Sequence, residues 1–192
     1  MPNVNEVDLA FVVDTTSSMH TLINDAKKYI KQVLEATSEA ADIDLRVGIV
    51  QYRDHPPEDS MLTDSSALTK DLDVVQKYVN GMRARGGGDG PEAVFDGLIA
   101  ATKLKWRKHA MRLAILLGDA PPHGYGWGGD RWPEGCPCGE NAESTAAHLE
   151  GANIIMYSIG LNEYPNLAKS FGEMSSLTGG QFFELSNQRA IS

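Results

Sequence analysis

The segment VDLAFVVDTTSSMHTL, residues 7–22, decides the fold of this chain. Its first half, residues 7–13, is almost continuously apolar, which is typical of a strand buried on both faces. The strand ends in Asp14, and two threonines and two serines follow. Over residues 20–36 the apolar side chains recur at helical spacing. An acid and a row of hydroxyls between a buried strand and a helix indicate a site at the end of the strand.

The rest of the chain continues this alternation of strands and helices. We predict strands at 45–52, 111–119, 152–160 and in GGQFFEL, and helices at 72–82, from Pro91, at 140–150 and through Leu167, Phe171, Met174 and Leu177. Apolar strands separated by helices predict a mostly parallel sheet covered on both faces. We therefore expect one α/β domain over residues 1–192, with a doubly wound, Rossmann-like, six-stranded sheet.

The composition argues against several kinds of partner. A formal net charge of −9 disfavours nucleic acid and anionic membranes, both of which favour basic patches. We see no apolar run of membrane-spanning length and no signal peptide, so we expect a cytoplasmic protein, with a monomer favoured over an obligate oligomer. Cys136 and Cys138 are too close in sequence for a relaxed disulfide, and with His123 they offer three zinc-type ligands.

Three acidic residues are expected to meet at one edge of the sheet. In open α/β sheets, ligands bind beyond the carboxyl ends of the strands. Asp14 and Asp119 stand at such ends, and the loop RARGGGDG, which carries Asp89, precedes a helix and so lies at the same edge. Together with Thr16 and Ser18, these residues would form a cluster of oxygen atoms.

Among the sites that would place an acid here, the sequence favours a cation site. A dinucleotide site needs G-x-G-x-x-G after the first strand and a P-loop needs Gly-Lys-Ser/Thr, and the chain has neither. A phosphatase of the D-x-D-x-T kind lacks its second acid, because Thr16 stands there. A serine nucleophile needs a positioned base, and nothing in the sequence pairs a histidine with Ser17 or Ser18. Carboxylates and hydroxyls are ligands that Mg²⁺, Mn²⁺ and Ca²⁺ prefer.

These segments resemble the von Willebrand factor type A (VWA) family over essentially the full chain. DTTSS matches the D-x-S/T-x-S of that family's metal-ion-dependent adhesion site, and LLGDAPPHG resembles the segment that supplies its later aspartate. GGGDGPEA departs from the better-known members, which have a threonine on this loop, and is similar to a subgroup that has GGGDxPE. The resemblance implies one short antiparallel edge strand near residues 60–65, and the metal ligands Asp14, Thr16, Ser18, Asp89 and Asp119.

The function that the resemblance implies is docking of another protein through Mg²⁺ (or Mn²⁺ or Ca²⁺), without catalysis. The alternative is a metal-dependent hydrolase or phosphotransferase that uses the same carboxylates. We interpret side chains of two flanking loops as the rim of the partner interface. These side chains are Asp54, His55, His123, Tyr125, Trp127 and Trp132. Other interpretations are that Asp54 shapes a turn, that His123 bonds a backbone carbonyl, and that the aromatic residues pack their loop onto the sheet.

Overall fold

The computed structural model describes residues 3–38 and 42–185. Along the chain, its elements are β1 (Asn3–Asp14), α1 (Ile23–Ser38), β2 (Asp44–Tyr52), β3 (Thr63–Ser65), α2 (Leu72–Gly81), α3 (Val94–Thr102), β4 (Ala110–Gly118), α4 (Ala142–Gly151), β5 (Ile154–Gly160), α5 (Pro165–Leu177) and β6 (Phe182–Glu184). A short 3-10 helix, Ser17–Thr21, links β1 to α1. None of the helices in these ranges is both long enough and apolar enough to cross a bilayer.

The six strands form one sheet in the order β3-β2-β1-β4-β5-β6. All neighbouring pairs are parallel except β2 and β3, which are antiparallel. The expected α/β fold, with a mostly parallel sheet and one short antiparallel edge strand, is confirmed. Because the chain turns from β1 to β2 on one side and returns to β4 on the other, the carboxyl ends of β1 and β4 flank the point where the strand order reverses. Ligands bind at such points in doubly wound folds.

Both faces of the sheet are covered by helices. Phe11 of β1 packs in a cluster with Ile30 of α1 and Val79 of α2. The next residue, Val12, packs in a second cluster that includes Phe95 of α3 and Phe171 of α5. Successive strand residues point to opposite faces, so a strand with two covered faces must be apolar throughout. This explains the unbroken apolar run in residues 9–13.

Apart from shifts of one to three residues at other element ends, the structure differs from the expected elements in three places. β1 begins at Asn3 rather than at residue 7. The helix expected from Pro91 begins at Val94, because the Glu92 amide donates to Pro121 O and the Ala93 amide donates to Arg53 O, which holds this segment against other loops. Leu177 was expected on the packed side of α5 and is 45% exposed, because it is the last residue of the helix.

One buried acid of β1 lies just before the apolar run, away from the carboxyl edge. Asp8 is fully buried and bonds to two arginines. Arg46 Nε and Nη2 donate to its two oxygens at 2.9 and 2.6 Å, and Arg107 Nε donates to Oδ1 at 2.8 Å. The Arg107 amide donates to Oδ2 at 2.7 Å. This network ties β1, β2 and the segment before β4 together.

Candidate metal centre

Four of the expected ligands form one hydrogen-bonded chain at the carboxyl edge of the sheet. The amide and the hydroxyl of Thr16 both donate to Asp14 Oδ1, at 2.8 and 2.7 Å. The hydroxyl oxygens of Thr16 and Ser18 are 3.1 Å apart, and Ser18 Oγ donates to Asp119 Oδ1 at 2.9 Å. Asn162 Nδ2 approaches Asp119 Oδ2 at 3.3 Å. The end of β1 and the residue after β4 are therefore joined through the DTTSS turn.

The glycine-rich loop holds this turn in place. An aspartate that accepts from the amide two residues later forms a local turn, as Asp14 does with Thr16. The amide and the hydroxyl of Ser17 both donate to Gly86 O, at 2.9 and 2.6 Å. Gly87 has a φ of +74°, and a Cβ there would lie 3.0 Å from Glu92 Oε1 and 3.1 Å from Thr16 Cβ. Glycine is needed here for both its backbone conformation and its small size.

The carboxylates of this chain are buried in a way that disfavours their charge. Asp14 is 0% exposed and Asp119 is 3% exposed, and Asp14 Oδ2 has no hydrogen-bond partner among the described residues. Burial, with the charge of Asp119, raises the pKa of Asp14 to about 8, against the opposing hydrogen bonds from Thr16. Burial also raises the pKa of Asp119. Buried carboxylates of this kind require compensating positive charge or protonation.

A further acid, which we did not single out from the sequence, lies beside this group. Glu92 is 2% exposed, and its Oε2 has no hydrogen-bond partner among the described residues. Burial and the charges of Asp14 and Asp54 raise the pKa of Glu92 to about 11, against a hydrogen bond with Thr16. The motif GGGDGPE contains two acids, and the second is the one whose carboxylate lies next to Thr16.

Asp89, the fifth expected ligand, lies in a separate cluster. Its Oδ2 accepts from the Arg131 amide at 2.6 Å. Its ligand atom lies within 4.8 Å of those of Asp54 and His123. Among the contacts of residues 3–38 and 42–185, none joins Asp89 to Asp14 or Asp119. The structure therefore does not bring Asp89 into the hydrogen-bonded chain, since the loop turns its side chain toward the β4–α4 segment.

Three of the residues expected on the partner rim are buried inside the domain. Asp54, His55 and His123 are 0%, 6% and 1% exposed. His123 lies between two aspartates, with Nε2 2.9 Å from Asp54 Oδ1 and Nδ1 2.9 Å from Asp130 Oδ1. Burial lowers the pKa of His123, but these two aspartates outweigh it and raise the pKa overall. In this structure the three side chains bind other parts of the chain, and their contact with a partner stays a prediction.

The aromatic residues of the long loop pack against the domain. The Trp132 ring lies edge-on to His123, with ring centroids 4.7 Å apart. Tyr125 packs near Phe95, and its hydroxyl donates to Glu173 at 3.1 Å. Trp127 lies edge-on to Tyr164 at 4.9 Å. These contacts support the interpretation that the aromatic side chains hold the loop down.

The serines of the turn are not arranged as nucleophiles. Ser17 Oγ donates to Gly86 O, and Ser18 Oγ donates to Asp119. Within the described ranges, no hydrogen bond pairs either serine with a histidine. A serine hydrolase would need such a base within hydrogen-bond reach.

The histidine beside the two cysteines is His55 rather than His123. His55 Nε2 lies 3.1 Å from Cys136 Sγ and 3.0 Å from Asp96 Oδ2. The sulfur atoms of Cys136 and Cys138 lie 2.6 Å apart. Sequence could not choose between the two histidines, because both lie on loops at the same edge of the sheet.

The fold is shared with proteins of known structure. The pilus adhesin SpaC from Lactobacillus rhamnosus GG matches 96% of this chain and 28% of its own, with a TM-score of 0.69 and 16% identity. Proximal thread matrix protein 1 from the mussel byssus matches 94% of this chain and 41% of its own, with a TM-score of 0.63 and 15% identity. At these identities the likeness concerns the fold alone.

Sequence comparison identifies longer relatives. Alpha-protein kinase vwkA of Dictyostelium discoideum is 32% identical over 154 residues, which are 79% of this chain and 24% of the kinase. A putative ariadne-like RING finger protein of Acanthamoeba polyphaga mimivirus is 30% identical over 199 residues, covering 100% of this chain and 20% of the viral protein. This chain thus spans no more than a quarter of their length. A model of the von Willebrand factor A domain matches residues 8–123, more than half of the chain. The chain therefore belongs to the von Willebrand factor A domain family.

Proposed function

We propose that this domain binds a divalent cation, Mg²⁺, Mn²⁺ or Ca²⁺, and docks another protein through it. The observation that carries this proposal is the hydrogen-bonded chain from Asp14 through Thr16 and Ser18 to Asp119, with one buried Asp14 oxygen left without a partner. VWA domains generally mediate protein–protein interaction, which supports the docking role.

The donor atoms fit a hard cation. Mg²⁺ uses one or two direct carboxylates and keeps several waters, and Asp14 and Asp119 supply two carboxylates. Thr16 and Ser18 add neutral oxygen atoms, which hard cations also accept. A bound cation would supply an electrophilic position that an oxygen atom of the partner can occupy. The protein's own part is to hold these oxygens on a rigid turn between β1 and α1.

The relatives support a docking role within larger proteins. The kinase and the RING finger protein carry most of their length outside the matched segment. In such chains, a docking domain would bring a partner to the attached segments. We propose no turnover by the serines of the cation site, because Ser17 and Ser18 bond to Gly86 O and to Asp119 rather than to a histidine.

Cation binding should stabilise the folded domain. A cation that binds only the folded state adds about 2.7 kcal/mol at a free concentration near a hundred times its dissociation constant. We expect Mg²⁺ or Mn²⁺ to raise the melting temperature relative to chelator, and Asp119→Ala to abolish the increase. Differential scanning fluorimetry measures both. An unchanged melting temperature in the wild type, with no heat in a calorimetric Mg²⁺ titration, would contradict the cation site.

Docking through the cation is tested with a glutamate-containing peptide as the probe. We expect the peptide to bind in Mg²⁺, to be released by chelator, and to show no binding to Asp119→Ala. Equal binding with and without Mg²⁺ would argue against docking through the ion. Turnover of generic phosphate esters that requires both Mg²⁺ and Asp14 would favour the metal-dependent hydrolase instead.

The two acids of GGGDGPE should differ in their effect on the cation. We propose that Glu92 rather than Asp89 supports the site, because the buried carboxylate of Glu92 lies beside Thr16, whereas that of Asp89 accepts from the Arg131 amide. We expect Glu92→Gln to weaken Mg²⁺ binding by about tenfold or more, as does loss of a group that supports metal ligands. Asp89→Asn is the matched control and should leave the calorimetric affinity unchanged. A larger loss of Mg²⁺ affinity in Asp89→Asn than in Glu92→Gln would indicate that Asp89 is a metal ligand.

A further inference from the structure

A second cluster of metal-binding side chains lies in this domain, and its donors differ from those of the oxygen site. His55 comes from the loop after β2, Asp96 from the first turn of α3, and Cys136 and Cys138 from the segment between β4 and α4. One ligand atom from each of the four lies within 4.8 Å of all the others. We propose that these four side chains hold a structural zinc ion.

The separations of the ligand atoms approach those around tetrahedral zinc. His55 Nε2 lies 3.1 Å from Cys136 Sγ and 3.0 Å from Asp96 Oδ2, and Cys136 Sγ lies 3.4 Å from Asp96 Oδ2. With Zn–S bonds of about 2.3 Å and Zn–N and Zn–O bonds of about 2.0 Å, tetrahedral angles separate ligand atoms by roughly 3.3 to 3.8 Å. These three pairs need to move apart by only a few tenths of an ångström.

The two sulfur atoms need the largest adjustment. They lie 2.6 Å apart, and both cysteines are free thiols. A covalent disulfide is about 2.05 Å long, so the pair is not bonded. The spacing Cys-x-Cys is shorter than the usual Cys-x₂₋₄-Cys of zinc sites, yet both sulfur atoms lie within 4.8 Å of the ligand atoms of His55 and Asp96. A separation increase of about 1 Å, within side-chain rotation, brings them to zinc geometry.

The donor set selects zinc over the cation of the first site. Thiolate and imidazole are ligands that zinc prefers, whereas Mg²⁺ and Ca²⁺ prefer oxygen. Two thiolates, one carboxylate and one neutral imidazole around Zn²⁺ leave a net charge of −1, as in common Cys₃His sites. Four protein ligands close the coordination sphere, which is typical of a structural site.

The surroundings of the cluster bury two of its four side chains, whereas Asp96 and Cys138 are partly exposed. His55 is 6% exposed and Cys136 is 7% exposed. The Trp132 ring lies edge-on to His55, with ring centroids 5.5 Å apart. Both cysteines also pack against the apolar cluster that includes Phe95. A shielded site of this kind resembles the closed environment of structural metals rather than a surface group of chance neighbours.

The ion would fasten part of the long segment between β4 and α4. No helix or strand of the described structure lies between Gly118 and Ala142. The first part of this segment is held by Asp130, which accepts from the Gly124 and Trp132 amides at 2.8 Å each. Zinc would tie the second part to α3 and to the loop after β2. It would thereby fix Trp132, whose ring lies edge-on to His123.

Metal analysis tests this proposal directly. Protein purified under reducing conditions and equilibrated with zinc chloride should retain one zinc per chain after desalting. Cobalt in place of zinc should produce a thiolate-to-metal absorption in the near ultraviolet. Cys138→Ser should weaken zinc binding by more than about a hundredfold and should remove the cobalt band. A hundredfold is the upper range for groups that only support metal ligands, so a larger loss indicates that Cys138 is a ligand. A zinc-selective chelator should lower the melting temperature of the wild type.

Two control variants test whether zinc retention depends on these four side chains. His109→Ala removes an exposed histidine at the other end of the sheet, before β4, and should retain zinc. Asp14→Ala should retain zinc while losing Mg²⁺ binding, so the two sites can fail independently. Wild-type protein without retained zinc, a cobalt spectrum without the thiolate band, or a Cys136–Cys138 disulfide in protein kept reduced would each overturn the proposal. If Cys138→Ser fails to fold, an unchanged wild-type melting temperature in the chelator would overturn it equally.

Discussion

Asp14→Asn is expected to stabilise the cation-free domain at pH 7 and to abolish its stabilisation by Mg²⁺. Asp14 is fully buried, and burial with the charge of Asp119 raises its pKa to about 8 from 3.8. Between these two values the folded protein binds a proton that the unfolded chain does not. Stability of the cation-free wild type therefore falls as the pH rises through this window. Asparagine does not titrate, so the stability of Asp14→Asn should lack this decrease with pH.

The expected size of the effect follows from linkage. Of the rise in the pKa of Asp14 from 3.8 to about 8, roughly three units lie below pH 7, and at 1.36 kcal/mol each they correspond to about 4 kcal/mol. The side-chain oxygen of the introduced asparagine can still accept from Thr16, but its amide replaces the oxygen that has no partner, which costs about 1–3 kcal/mol. In chelator, the free energy of unfolding of Asp14→Asn should exceed that of the wild type by about 2 kcal/mol. Saturating Mg²⁺ should add about 2.7 kcal/mol to the free energy of unfolding of the wild type and nothing to that of the variant. The order of stability should reverse with Mg²⁺.

Urea denaturation in chelator and in Mg²⁺, between pH 5 and pH 8, measures this reversal. Glu163→Gln is the matched control, because Glu163 is an exposed carboxylate near the same edge, next to Asn162. It should behave as the wild type does in both conditions. Mg²⁺ stabilisation that persists in Asp14→Asn would show that Asp14 is not a ligand.

The fold was predictable because its main elements carry their own signals. Residues 9–13 of β1 are apolar on both faces, and helices cover both faces in the structure. The exception is β3, Thr63–Ser65, whose polar residues lie at an edge and show no apolar pattern. The polar stretch after β2 was compatible with one short edge strand, and the resemblance to VWA domains indicated it near residues 60–65. Local pattern is informative where burial is extensive, and it fails where a strand is short and exposed.

The candidate site was predictable where a strand places the side chain. Asp14 ends β1 and Asp119 follows β4, so their meeting follows from the topology of the sheet. Asp89 and Glu92 lie on a loop, and sequence spacing does not show which carboxylate turns inward. The inward orientation of Glu92 depends on a β-bridge between Glu92 and Pro122, and Pro122 belongs to another loop. The grouping of His55 with the cysteines depends in the same way on contacts between loops.

Asp8→Asn is expected to destabilise the domain by about 3 kcal/mol, because removing one partner from a buried ion pair leaves the other charge uncompensated. Asp8 is 0% exposed, and it accepts from both Arg46 and Arg107, whose side chains are each 20% exposed. Asparagine keeps the shape of the side chain but removes its charge. The side-chain NH₂ group of the introduced asparagine would also face N–H groups of Arg46 or Arg107, so that one donor faces another. Urea denaturation at pH 7 measures the loss.

The pH dependence of this loss distinguishes an ion pair from a packing effect. Burial raises the pKa of Asp8, but the hydrogen bonds and charges of Arg46 and Arg107 outweigh it and lower the pKa below 3.8. A lowered pKa gives stability that is fully present above the unfolded value and is lost as the pH falls through the folded value. The difference between wild type and Asp8→Asn should therefore be constant from about pH 7 to pH 5 and should shrink in stronger acid. Asp44→Asn, at an exposed partner of Lys70 and Arg107, is the control and should cost much less. A loss that did not change with acid would mean that packing, rather than the paired charge, accounts for the role of Asp8.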